Sequence, residues 1–230
     1  MGDGALPVVL VSGLAFESRI AEGPGIRTVC WAERNGLLER LERAVAQGCA
    51  GLVSFGTCGA LAENLSPGDW LIPVRVLAGA GVFNCHDAWR EALAGALSEA
   101  RSGPLAGVDS PVTSVADKAA LHEASGALAA DMESHVVARV AQQHELPFVV
   151  ARVVIDPAAR AVPASALAAV DEAGQTVIAP LLAALARQPS ELGALLRLAR
   201  DSARAQRSLR QGRSRLEEAL RWPARAHGAR

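Results

Sequence analysis

Four short segments place carboxylates, glycines or a guanidinium where an apolar run stops, and each could do chemistry. Asp156 follows directly on Val153-Val154-Ile155, at the end of a nearly apolar run. A carboxyl at the carboxyl edge of a buried strand is partly desolvated, holds a proton near neutral pH and so suits a general acid. Capping the following helix explains the same residue equally well. Glu133, in Ala130-Asp131-Met132-Glu133-Ser134, either caps the first turn of a helix or accepts hydrogen bonds from a ligand's hydroxyls. Glycines on both sides of Thr57-Cys58, in Ser54-Phe55-Gly56-Thr57-Cys58-Gly59, would let backbone approach a ligand closely, and would equally make an ordinary turn. Gly13-Leu14-Ala15-Phe16-Glu17-Ser18-Arg19 adds another carboxylate, together with an arginine whose planar fork matches the oxygens of phosphate. Cys58 has no histidine placed beside it by the sequence and reads as a packing residue. Cys85-His86-Asp87 cannot converge on a metal without distant partners, so no metal site is expected.

The elements that must position these residues follow from hydrophobic period. Pro7-Val8-Val9-Leu10-Val11-Ser12 reads as a buried first strand, residues 35–47 as a helix, and 50–55 as a second buried strand ending at the glycines. Pro67-Gly68-Asp69 is a turn, with a strand expected over 70–77. Helical spacing recurs over 88–100, 118–125 and 131–144; 147–155 is the last clear strand, and an Ala-rich helix is expected from 163 to 186. Strands alternating with helices predict a three-layer α/β sandwich around a central mixed sheet, as one domain over residues 1–188.

Composition narrows the classes. Half of the 230 residues are hydrophobic and a fifth charged, as in a globular protein. No apolar run approaches the roughly 20 residues that span a bilayer, so a cytoplasmic location is expected. The four cysteines form no CxxC pair and read as reduced thiols. From Arg187 onward eleven arginines face four acids, so an acidic body carries a basic tail. Residues 189–230 read as a basic amphipathic helical appendage, either packed on the body or another subunit with its arginines solvated, or lying on a membrane surface. No basic groove interleaved with aromatics is present, so no nucleic acid is expected as a partner.

Taken together, order and spacing over roughly residues 7–186 resemble the purine nucleoside phosphorylase and methylthioadenosine/S-adenosylhomocysteine nucleosidase superfamily. The resemblance rests on Gly56-Thr57-Cys58-Gly59-Ala60-Leu61 with Leu65-Ser66-Pro67-Gly68-Asp69, on Ala130-Asp131-Met132-Glu133-Ser134, and on residues 152–158. Within that superfamily the chain looks most similar to the hopanoid-biosynthesis-associated nucleoside phosphorylases, whose assigned reaction removes adenine from adenosylhopane. Gly13-Leu14-Ala15-Phe16-Glu17, Ala116-Asp117-Lys118-Ala119-Ala120-Leu121 and Asp131-Met132-Glu133-Ser134 carry that closer likeness.

The resemblance implies cleavage of the N-ribosyl bond of a purine nucleoside through an oxocarbenium-like sugar. Asp156 would then protonate or hydrogen-bond the purine N7, Glu133 would hold the ribose hydroxyls, and Met132 would pack beneath the ribose. Thr57 and the Gly59 backbone would lie near the nucleophile or sugar. No cofactor is implied; inorganic phosphate is a candidate co-substrate. The resemblance also implies a homo-oligomer. The chain departs from the pattern twice: Ile155 stands where many relatives have a serine before the aspartate, and Arg19 aligns with the glutamate that activates water in nucleosidases. Arg19 would favour phosphorolysis, whereas a one-turn shift of the loop would make Glu17 the base for hydrolysis. A soluble methylthioadenosine/S-adenosylhomocysteine nucleosidase and a nucleoside-binding protein without turnover are the rival readings.

Overall fold

The computed structural model describes residues 6–31, 36–163, 166 and 191–221. In chain order the elements are β1 Val8–Ser12, α1 Ala15–Ala21, β2 Ile26–Cys30, α2 Leu37–Ala46, β3 Gly51–Ala60, β4 Trp70–Leu71, β5 Arg75–Ala78, β6 Gly81–Asn84, α3 Asp87–Ala96, β7 Pro104–Gly107, α4 Val115–Ser125, β8 Ala129–Asp131, α5 Ser134–Gln143, β9 Phe148–Asp156, α6 Leu192–Arg215 and α7 Glu217–Leu220.

The strands form one nine-stranded mixed sheet in the order β2-β1-β3-β8-β7-β5-β6, with β9 joined to β3 and β4. Strand alternation divides the core into two layers. Val9, Val11, Leu52, Val150 and Val154 pack beneath α2 and α5 with Leu41, Val137 and Val140. Val8, Leu10, Val53, Phe55, Val149, Ala151 and Val153 face the other way, against Trp89 and Leu93 of α3 and Leu209 of α6. This is the expected three-layer architecture with its central mixed sheet.

β3 runs past the point where the sequence placed its end. It stays in strand conformation through Gly56 and Gly59 to Ala60, because both edges are occupied: β9 pairs with it in parallel from Leu52 to Gly59, and β8 takes up Gly59 and Ala60 antiparallel. Tertiary pairing overrides the weak strand preference of glycine. The ladder with β9 shifts register between Cys58 and Gly59. The strand expected over 70–77 is two strands, since Pro73 has no N–H to donate and interrupts the run. Residues 131–133 do not open a helix: Asp131 ends β8, and α5 begins at Ser134. The helix expected over 163–186 lies almost wholly outside the described residues.

Residues 191–221 of the basic C-terminal segment are packed into the core of the domain. α6 and α7 bury Ala205, Leu209, Leu216 and Leu220 completely, in the same layer as Trp70 and Trp89. Among the described residues no helix is long and apolar enough to cross a membrane.

Candidate active site

The carboxyl end of β1, the bulged part of β3, the β8–α5 turn and the end of β9 surround a cavity of about 280 Å³. Such a concave site at the carboxyl edge of a mixed sheet is where α/β folds hold small ligands. Glu17, Thr57, Gly59, Met132, Glu133 and Asp156 all line it.

Glu17 belongs to the first turn of α1 and is 1% exposed. Its Oε2 accepts from the N–H groups of Gly13 (3.0 Å) and Leu14 (2.9 Å), and its Oε1 accepts from the Thr57 N–H (2.8 Å) and hydroxyl (2.7 Å). One carboxylate thereby ties the exit of β1 to β3. Gly56 has φ +150°, and a Cβ there would come within 2.6 Å of the Glu17 carboxyl, so glycine is required. Burial pushes the Glu17 pKa up, while Arg152 and the hydrogen bonds from the Thr57 hydroxyl and the Leu14 and Thr57 N–H groups pull it down.

Behind the cavity sits a guanidinium that sequence reasoning missed. Arg152, in the middle of β9, is fully buried. Its Nε lies 2.6 Å from Asp131 Oδ2 and its Nη2 3.0 Å from Glu133 Oε2. Nη2 also donates to Ser54 Oγ (2.6 Å), and Nη1 donates to the Thr57 carbonyl (3.2 Å). Ser134 closes the cluster: its Oγ lies 2.9 Å from Ser54 Oγ and its N–H donates to Asp131 Oδ1 at 3.1 Å. Burial pushes the Glu133 pKa up to about 8 against the pull of Arg152, and the neighbouring Asp131 and Glu17 add to the rise. The cluster did leave a signal: an arginine within Val149-Val150-Ala151-Arg152-Val153-Val154 must find partners, because a buried lone charge is too costly.

Asp156 stands on another wall. Gly59 passes so close that a Cβ there would lie 3.2 Å from Asp156 Oδ1. Lys118 of α4, 1% exposed, forms a short ion pair with Asp156 Oδ2 and donates to the carbonyls of Pro157 (3.0 Å) and Arg160 (2.8 Å). Burial raises the Asp156 pKa and Lys118 opposes it.

Arg19 is not part of this site. It is exposed, donates to the Ala15 carbonyl, and borders a separate cleft with Arg210 and Arg213. The cause is helical phase: two residues apart on α1, Glu17 and Arg19 point about 200° away from one another. Cys58 lines the cavity, but burial lifts its thiol far above the range in which a thiolate forms, in keeping with packing. Cys85 is buried and His86 caps α3, its Nδ1 accepting from Trp89 N at 3.3 Å; neither lines the cavity. Leu61, Val108, Pro111, Val112 and Val162 add apolar side chains to the lining of the cavity.

Residues 37–188 match the phosphorylase superfamily. No curated protein matches the chain. Among solved structures, the chain is similar to the 5′-methylthioadenosine/S-adenosylhomocysteine nucleosidase of Helicobacter pylori (15% identity over 95% of this chain and 99% of that one, TM-score 0.67). It is equally similar to futalosine hydrolase of the same organism (15% identity, 94% of this chain and 97% of that one, TM-score 0.67). S-adenosylhomocysteine nucleosidase of Streptococcus pyogenes, solved with 5-methylthiotubericidin, matches at 16% identity over 69% of this chain and 86% of that one, TM-score 0.58. At these identities the likeness establishes a common fold.

Proposed function

We propose, from the premise that this chain belongs to the phosphorylase superfamily, that it is an enzyme cleaving the N-ribosyl bond of a purine nucleoside, with water as the acceptor of the sugar. The observation that carries the choice of water is the charge of the cavity. Glu17, Asp131, Glu133 and Asp156 line it, and the cations at hand, Lys118 and Arg152, are already paired with Asp156 and with Asp131 and Glu133. A phosphate dianion would meet no free cation among the described lining residues, and a buried charge without a partner is costly. With Arg19 on the far side of α1, the reason for expecting phosphorolysis is gone.

In this reading the C1′–N9 bond breaks as Asp156 gives its proton to the purine N7, and the electron pair stays on the base. Glu133, backed by Arg152, holds the ribose hydroxyls, and its ionised form sets negative charge beside the oxocarbenium-like sugar. Met132 packs against the ribose. Water forms the new C–O bond and loses a proton to Glu17, whose carboxylate is fixed by the Thr57 and loop N–H groups.

The substrate we infer is a purine nucleoside with a large apolar 5′ substituent, adenosylhopane if the hopanoid resemblance holds, because Leu61, Val108, Pro111, Val112 and Val162 give the cavity an apolar lining beside its carboxyl groups. A lipid of this kind must be taken from a membrane. α6 offers a surface for it: Leu192 and Leu196 are 48% and 51% exposed beside the exposed Arg197, Arg200 and Arg207, and Arg197 borders a cleft that includes Asp156. A homo-oligomer remains part of this reading.

Adenine release in detergent tests it, from adenosylhopane and from methylthioadenosine, with and without phosphate. Release from the lipid nucleoside at a rate indifferent to phosphate is expected. Strict phosphate dependence would overturn water as the acceptor, and release from methylthioadenosine alone would make this a soluble nucleosidase. Ligand-induced stabilisation without any release would mark a binding protein. Separately, Arg197→Glu/Arg200→Glu/Arg207→Glu should co-sediment with anionic vesicles markedly less than the parent protein, since each basic residue near such a surface contributes about 1 kcal/mol. Equal binding would remove the membrane role of α6.

A further inference from the structure

The geometry points to Lys118 as the positioning residue of Asp156: it holds Oδ2 of the acid so that Oδ1 is left for the purine, the task for which this chain has no serine at position 155. This rests on the reading of Asp156 as the acid.

Three observations support it. An ammonium has three N–H donors, and all three of Lys118 are spent within one turn of chain, on the Asp156 carboxylate and on the carbonyls of Pro157 and Arg160. The side chain is therefore a fixed strut between α4 and the exit of β9, unlike a solvated lysine with freedom to move. The strut touches one oxygen only. Both oxygens of Asp156 lie over Gly59, 3.2 and 3.3 Å from where a Cβ would stand, so the absence of a side chain leaves Oδ1, which Lys118 does not hold, room at the cavity. Finally, Ile155 has no hydroxyl to offer, and no hydrogen bond to the Asp156 side chain other than that of Lys118 is found among the described residues. The turn is anchored from outside as well, where Arg160 pairs with Asp201 of α6 at 2.6 Å.

Lys118 also acts by charge. The groups facing Asp156 are Lys118 and Arg160, which lower its pKa, and Asp201, which raises it together with burial. Loss of the lysine cation therefore moves the pKa of Asp156 upward. The proton given to the purine is then held to higher pH, but by a carboxyl no longer aimed.

The test is a cycle of Lys118→Met, Asp156→Asn and the double variant on the full chain, with adenine release followed across pH and folding checked by thermal denaturation. Lys118→Met should lower kcat on the order of 100-fold, as misplacement of a reacting group does, with a far smaller change in KM, and should move the alkaline limb of kcat to higher pH. In the Asp156→Asn background the same change should cost nothing further. Multiplying losses, or an unmoved alkaline limb, would make Lys118 merely structural and overturn the proposal. Lys118→Gln, which keeps a donor without the charge, should recover part of kcat while leaving the limb shifted; it replaces the methionine variant if that one fails to fold. Near-normal activity of Asp156→Asn alone would instead sink the underlying reading of the acid, and shows itself without any change at Lys118.

Discussion

A chain ended after Pro189 is expected to come out unfolded, and not as a smaller working enzyme. The segment it would lose carries Leu209, Leu216 and Leu220, each completely buried in the core layer that holds Trp70 and Trp89. Truncating a buried leucine costs about 2–5 kcal/mol, so three of them match the roughly 5–15 kcal/mol by which a domain is stable at all. Polar contacts go with them. Trp89 Nε1 donates to the Ala219 carbonyl at 2.8 Å and the Ser208 hydroxyl to the Gly68 carbonyl at 2.7 Å, and both indole and carbonyl would be left without partners. Gly212 sits so tightly on Trp70 that its missing Cβ would lie 2.2 Å from the ring. Near-ultraviolet circular dichroism and thermal denaturation of the shortened chain decide the matter. A cooperative transition with adenine release intact would show that residues 191–221 are dispensable.

The second large effect is at Arg152. Arg152→Met should lose about 3–5 kcal/mol of stability near neutral pH, because it leaves buried acids without their cation. The methionine fills much of the same volume, so little of that loss is a packing defect. The pH dependence has a definite sign. Arg152 pulls down the pKa values of Glu17 and Glu133, which burial already holds above the ordinary carboxylate value. Removing it raises both further above their unfolded values. An acid whose folded pKa is raised stabilises the fold at low pH and loses that contribution as pH rises through the folded pKa. The deficit of the variant should therefore be smaller at about pH 5 than at about pH 8. Urea denaturation at the two pH values measures it, and a deficit that is constant or shrinks with rising pH contradicts the charge-cluster account.

The sequence disclosed the architecture where burial is two-sided and concealed it where strands lie at edges. Val8–Ser12 and Phe148–Asp156 are almost wholly apolar because helices cover both faces of the sheet there. Ile26–Cys30 and Gly81–Asn84 lie at the two edges of the strand order, alternate weakly or carry polar residues, and were not legible. The seven residues of α1 are too short for periodicity to declare themselves, so the phase that separates Glu17 from Arg19 was unreadable as well. Six of the seven proposed site residues do meet in one cavity. Lys118 was legible only as part of a family-like string, since its partner Asp156 is 38 residues away and meets it only through the fold. Arg152 differs: its isolation in an apolar strand was visible, and only its partners were not.

The carboxylates and their supports rise from strands, from helix starts and from glycines that cannot take a side chain, whereas much of the apolar wall is furnished by Val108, Pro111, Val112 and Val162, outside any regular element. These two sets answer to different constraints. A change among the first disturbs buried charge and the sheet itself, but a change among the second alters the shape of the cavity and leaves both in place. The molecule thus separates what it does from what it does it to. Loop substitutions can therefore reshape the apolar lining while the carboxylate end stays as it is.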